Sequence, residues 1–144
     1  VMFPIAFSPA NIQFRTLRAD DIAGISDLYP AASFTRQTGS VSGTVTKNGA
    51  GVLGAHVVAF HLRTGKIVGG FSLSADGSFV IAGLEPGPHI LRVEPLDDAD
   101  IDSFLDLTLG VDVSFRVKFH ERLVVVPSGG GARRIDIKVL PKGG

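Results

Sequence analysis

The stretch Asp76-Gly77-Ser78-Phe79-Val80-Ile81-Ala82-Gly83-Leu84-Glu85-Pro86-Gly87-Pro88-His89-Ile90-Leu91-Arg92-Val93 sets two runs of branched and aromatic residues between turn signals. Asp-Gly beside such runs reads as a hairpin turn that needs positive φ. The spacing predicts strands over 77–83 and 88–95, with Leu91 and Val93 facing the core. The same texture continues outward in both directions. Upstream, Asn48-Gly49 and Thr64-Gly65 divide strand readings over 40–47, 55–62 and 66–73, and Ala55, Val57 and Ala59 share a core-facing side. Downstream, two longer runs cover 112–126 and 132–140. In the last, Ile135, Ile137 and Val139 alternate with Arg134, Asp136 and Lys138, the pattern of a half-solvated antiparallel strand. Phe115, Val117 and Phe119 alternate with Ser114, Arg116 and Lys118 in the same manner. Many short strands with tight turns predict a mainly β fold, an antiparallel β-sandwich of about seven strands.

Before Gly39 the texture differs. Residues 1–18 are apolar and irregular, broken by Pro4 and Pro9, and form an arm. Residues 19–29 predict one short helix, with Ile22, Ile25, Leu28 and Tyr29 forming an apolar stripe at helical spacing. Asp20 and Asp21 stand in its first turn, where the helix dipole favours negative charge, and Pro30 stops it. Arg18 takes the N-cap position, which Ser, Thr or Asp would fill better. Residues 31–38 read as a linker and residues 39–142 as the sandwich.

The composition narrows the function classes. Hydrophobic residues make up 44% of the chain, enough to bury a core. Fourteen basic residues balance fourteen acidic ones, so the electrostatic footprint of a nucleic-acid binder is missing. No apolar run approaches the ~20 residues a membrane helix needs. The absence of cysteine excludes disulfides and thiolate metal sites. The start Val1-Met2-Phe3-Pro4 has no signal-peptide grammar and suggests part of a longer chain.

Two family resemblances sit on these segments. Met2-Phe3-Pro4 and the run Asp20-Asp21-Ile22-Ala23-Gly24-Ile25-Ser26-Asp27-Leu28-Tyr29 resemble the Met-turn and closing helix of matrixin catalytic domains, within residues 1–30. The resemblance implies that Met2, with Pro4, belongs to the floor beneath a catalytic zinc and that residues 4–17 line the specificity pocket. It also implies that Asp20 and Asp21 fasten the closing helix. The metzincin zinc motif His-Glu-x-x-His-x-x-Gly-x-x-His is absent from the chain. His56 and His61 fall on opposite faces of a strand, and His120-Glu121 has no second histidine one helical turn on. Catalysis by this chain alone is not expected, and zinc would belong to the parent protease.

The second resemblance covers about residues 39–140 and is densest before residue 96. Gly43-Thr44-Val45, Gly54-Ala55-His56-Val57, Asp76-Gly77-Ser78-Phe79, Gly83-Leu84-Glu85-Pro86-Gly87 and Leu91-Arg92-Val93 are similar to the carboxypeptidase regulatory-like family. The implied fold is a transthyretin-like, immunoglobulin-like sandwich, and the implied role is that of a non-catalytic accessory on a secreted or cell-envelope protein. His89 stands where that family carries an aromatic, which calls for lower burial or a hydrogen-bond partner.

Three further features stand out. Asp98, Asp100 and Asp102 have the alternate spacing of calcium ligands, but Ser103 and Leu109 replace the glycine and glutamate of such a loop, so a solvated acidic loop is favoured. Ser128-Gly129-Gly130-Gly131 joins two strands and opens no helix, so it reads as a flexible hairpin loop and not a phosphate cradle. His56, Val58, Phe60 and Leu62 share an outer strand face that calls for a cover, supplied by the helix stripe or by residues 101–109. The expected function is a non-catalytic accessory module of a secreted zinc metalloendopeptidase, partnered by the protease domain upstream. The alternative is an adhesion module binding protein or glycan in the cell envelope beside a degenerate protease domain.

Overall fold

The turn residues take the backbone shapes their identities allow, but two of the turns carry the chain between sheets instead of joining paired strands. The computed structural model describes residues 17–96 and 110–143. Two helices come first, α1 (Ala19–Leu28) and α2 (Ala32–Gln37), so most of the segment read as a linker is helical. Then follow β1 (Gly39–Lys47), β2 (Ala50–Gly51), β3 (His56–His61), β4 (Ile67–Phe71), β5 (Ser78–Leu84) and β6 (Gly87–Glu94). The C-terminal part supplies β7 (Lys118–Phe119), β8 (Val124–Val126), β9 (Gly131–Ala132) and β10 (Ile137–Val139).

True hairpins form at Asn48-Gly49, with φ of 53° and 86°, joining β1 to β2, and at Thr64-Gly65, joining β3 to β4. At Asn48-Gly49 positive φ at both central residues is the hairpin geometry that matches strand twist, while at Thr64-Gly65 only Gly65 takes it, at 67°. Gly77 has the expected positive φ of 76°, but β4 and β5 belong to different sheets. The turn is therefore a passage between layers. Its glycine is needed for close approach as well: a methyl at Gly77 would lie 2.0 Å from the Val45 carbonyl oxygen. Pro86-Gly87 likewise carries the chain from β5 in one sheet to β6 in the other.

In the first sheet β1 is central. β5 and β2 pair with it antiparallel along one side, and β9 and β10 pair with it parallel along the other. This corrects the antiparallel reading of the last strand. The alternation itself holds: Ile137 and Val139 are buried and Ile135 is half-buried. The second sheet runs β4–β3–β6, with β7 and β8 both antiparallel to the far side of β6. Taking each interrupted strand as one, the fold is a sandwich of two mostly antiparallel sheets.

One core lies between the sheets. Val41, Val45, Phe79 and Ile81 come from the first and Val57, Ala59, Leu91 and Val93 from the second, all nearly inaccessible to solvent. The predicted inward residues of β3 and β6 are among them. The long run 112–126 does not form one strand. Phe115 is fully buried, but Val117 and Phe119 are exposed, because Phe119 pairs with Arg92 on the outer face of the second sheet. Arg134, at φ 60°, interrupts the following run between β9 and β10.

The sandwich has two lateral sides. On one, α1 lies against β4 and β5. On the other, the β7–β8 and β9–β10 edges face each other across a slot. That slot is closed at one end by pairing of Phe115 with Pro141. At the other, the Ser128–Gly131 loop crosses between sheets instead of forming a hairpin, and two hydrogen bonds tie it down: Gly129 N–H donates to Thr38 O and Ser128 Oγ to Arg36 O. Those carbonyls belong to the end of α2, where helical acceptors lack intrahelical partners.

Candidate functional site

Met2, Pro4, Asp98, Asp100 and Asp102 lie outside the described residues. Among the described residues, no three His, Asp or Glu side chains gather as a metal-ligand set. The histidines are dispersed. His56 lies on the outer face of β3, stacked on Phe71 at 4.8 Å, with Nδ1 3.1 Å from Glu94 Oε1. His61 points the opposite way into the interior, as strand periodicity requires. His120 is partly exposed in the turn after β7.

His61 and His89 form a buried pair, ring centroids 4.8 Å apart and edge to face. His61 Nδ1 accepts the backbone N–H of Arg63 and of Thr64, at 3.3 and 3.1 Å. Its proton therefore sits on Nε2, which donates to Pro86 O at 3.2 Å. His89 Nδ1 donates to Gly87 O at 3.0 Å. His89 is thus deeply buried and has the partner its position calls for. Burial is the main cause holding its pKa below the ordinary histidine value; the Gly87 carbonyl opposes this and the neighbouring His61 adds to it. Beside them Thr64 Oγ1 donates to Glu85 Oε2, and Lys66 pairs with the same carboxylate, which lies below the usual range chiefly through Lys66. This cluster ties the β3–β4 hairpin to the β5–β6 crossing. It is a brace.

The feature with consequences beyond the sandwich is the docking of α1. Arg18 caps the helix only through its backbone, its N–H donating to Asp21 Oδ2 at 2.9 Å. The acidic residue three positions on thus makes good the poor cap residue. Ala19 and Ala23, one helical turn apart, face the sandwich, and Ala23 is 4% exposed. Small residues are required there, because Ala23 sits directly above Gly83 of β5. A methyl at Gly83 would lie 2.8 Å from Ala23 Cβ and 3.0 Å from the Phe34 ring of α2. Asp20 fixes the helix laterally, its Oδ1 accepting the Gly69 N–H of β4 at 2.9 Å.

The apolar stripe points the other way. Ile22 and Ile25 are about half exposed, and Leu28 and Tyr29 are 75% and 82% exposed. The expectation that this stripe covers the outer face of β3 is therefore wrong. On that face Val58 is buried, and the Arg92 guanidinium lies 5.4 Å above the Phe60 ring while pairing with Glu94; the other expected cover, residues 101–109, lies outside the described residues. Of the predicted anchors, the structure places Asp20 on the sandwich and Asp21 on its own helix end. Gly69, Gly83 and Ala23 were missed as docking residues. The signal was present in Ala19 and Ala23, a small pair at i, i+4 opposite the stripe.

Comparison with known proteins finds no matching family model and no matching curated protein. Among solved structures, "The Bacillus anthracis TIE protein" is a distant structural neighbour, with a TM-score of 0.45 at 15% identity. The match covers 73% of this chain and 17% of that one, so this chain spans a small part of its neighbour's length.

Proposed function

We propose that this chain is a non-catalytic accessory module of a secreted, matrixin-like zinc metalloendopeptidase, and that its transthyretin-like sandwich holds the closing helix of the protease domain. The observation that carries this reading is the two-faced α1. Its small face is seated on Gly83 and Gly69 of the sandwich, and its large apolar face, Ile22, Ile25, Leu28 and Tyr29, is left in solvent. A helix with opposed apolar faces suits a position between two bodies. In this reading the second body is the catalytic domain, whose end is formed by Met2, Pro4 and the loop over residues 4–17.

The motif His-Glu-x-x-His-x-x-Gly-x-x-His is absent from the chain, so in this reading the zinc ligands lie N-terminal to Met2. What this chain contributes is position. Asp20 and Ala23 hold the closing helix against a rigid sheet pair, and the domain in front of it inherits that rigidity. The natural coding sequence tests the reading. An intact His-Glu-x-x-His-x-x-Gly-x-x-His within a few dozen residues before Met2, with chelator-sensitive peptidase activity in the full-length protein, supports it. A degenerate motif with no activity overturns it in favour of the adhesion module.

A further inference from the structure

The lateral side opposite α1 holds a slot of about 700 Å³ between the β7–β8 and β9–β10 edges. This lies within the range of clefts that bind ligands. Both of its walls are strand edges whose outward backbone groups have no strand partner among the described residues. In β6, Pro88 O accepts the Leu62 N–H on the β3 side, while Leu91 O accepts the His120 N–H on the other side. Strand alternation then turns Gly87 and His89 toward β8, and leaves the N–H and C=O of Val125 directed away from β6 into the slot. On the facing wall, Ile135 N–H donates to Ser42 O of β1, and Leu140 O accepts the Arg116 N–H across the gap. The same alternation presents the N–H and C=O of Asp136 and Lys138 to the slot.

The charged side chains lining the slot are mostly basic, and the Asp136 carboxylate on the β10 edge is engaged by Thr44 Oγ1. Arg122, Arg134 and Lys138 line the slot without an ion-pair partner among the described residues; the one lining acid, Glu121, is paired with Lys118 at 3.6 Å. Leu123, Val125 and Leu140 line it too and are more than half exposed. Unpaired edges recruit an added strand, apolar side chains reward alternate apolar positions, and unpaired cations select the charge of the rest.

We propose that this slot binds an extended segment of a partner protein in which acidic residues alternate with apolar ones, by adding it as a strand between the two sheets. The bound strand pairs its backbone with Val125 on one side and with Asp136 and Lys138 on the other. Its carboxylates meet Arg122, Arg134 and Lys138.

The test uses the whole chain and two fluorescein-labelled peptides of about eight residues, one alternating Glu with Val and one alternating Lys with Val. Fluorescence anisotropy at about 50 mM salt should show the Glu peptide binding at least about tenfold tighter than the Lys peptide. The double variant Arg122→Glu/Lys138→Glu should lose that preference. Backbone readout separates strand addition from mere charge attraction: amide exchange at Val125 and Lys138 should slow when the Glu peptide binds. Equal affinity for the two peptides, or unchanged exchange at both amides, overturns the proposal. So does displacement of the Glu peptide by decanoate, which would make the slot an amphiphile site, or self-association of the chain that excludes the peptide.

Discussion

Replacing Gly83 by alanine probes the seat of α1 on the sandwich directly. Gly83 has φ of 73°, a backbone shape that costs an L-residue about 1–2 kcal/mol. The new methyl would also stand 2.8 Å from Ala23 Cβ and 3.0 Å from both Ala23 Cα and the Phe34 ring. Overpacking of that kind costs about 1–3 kcal/mol, so Gly83→Ala should destabilise by about 2–5 kcal/mol in urea unfolding. A loss of that size lowers Tm by roughly 4 °C per kcal/mol for a chain of this length. The backbone cost and the clash are separated by a double-mutant cycle with Ala23→Gly. That second change alone should cost about 1–2 kcal/mol, through helix propensity and one lost buried methyl. Combined, the pair should fall short of the sum by about 1 kcal/mol, because the nearest clashing atom has been removed while Ala23 Cα and Phe34 remain. Additivity within about 0.5 kcal/mol would refute the docking of α1 on β5.

Three other outcomes follow from the same structure. Ser72→Ala should cost about 1–3 kcal/mol, because the buried hydroxyl donates to Val52 O at 2.6 Å and accepts the Ala55 N–H at 2.9 Å; chemical denaturation measures it. Asp20→Ala should cost about 1 kcal/mol and accelerate amide exchange at Gly69, whose N–H loses its acceptor; unchanged exchange there would contradict the tether. The lowered pKa of His89 makes the folded state bind fewer protons than the unfolded one. Stability should therefore be fully present above about pH 6.5 and fall as the pH drops below it, with a slope of at most ~1.4 kcal/mol per pH unit from this residue. Unfolding curves from pH 7.5 down to about pH 5 measure that slope, and His89→Gln should flatten it.

Much of the sandwich was readable because its inner strands obey a two-residue period. Ala55, Val57, Ala59, Leu91 and Val93 face the core as the alternation requires. Turn placement was readable too, since Asn48, Gly49, Gly65 and Gly77 sit where the chain needs positive φ. Turn partnership was not. Asp76-Gly77 has the same local chemistry whether its strands pair or cross between sheets, and only the long-range contact of Gly77 with Val45 decides. The parallel pairing of β10 with β1 was hidden for a related reason, because alternation reports which face is wet and not the direction of the neighbour. The helix stripe misled for a different reason. Large apolar residues usually mark the buried side of a helix, yet at α1 the space above Gly83 admits only alanine. Of the candidate site, the sequence marked Asp20 and Asp21 but gave no sign that Gly69 is the acceptor's partner.

The position of β1 in its sheet sets the order in which the molecule can be completed. Among the described strands β1 is made first, and one whole side of it waits for β9 and β10. The bond from Thr44 Oγ1 to Asp136 Oδ1 spans 92 residues, and the parallel pairing of Val45 with Ile137 closes a loop of similar length. Contacts this distant in sequence carry the loop-closure entropy that slows β-rich chains. Until they form, β1 exposes an unpaired edge beside the hydrophobic Val41 and Val45, a template for other chains. Synthesis must therefore reach Val139 before the first sheet is safe, and a chain cut just before β10 should be sticky rather than merely a slightly shorter domain.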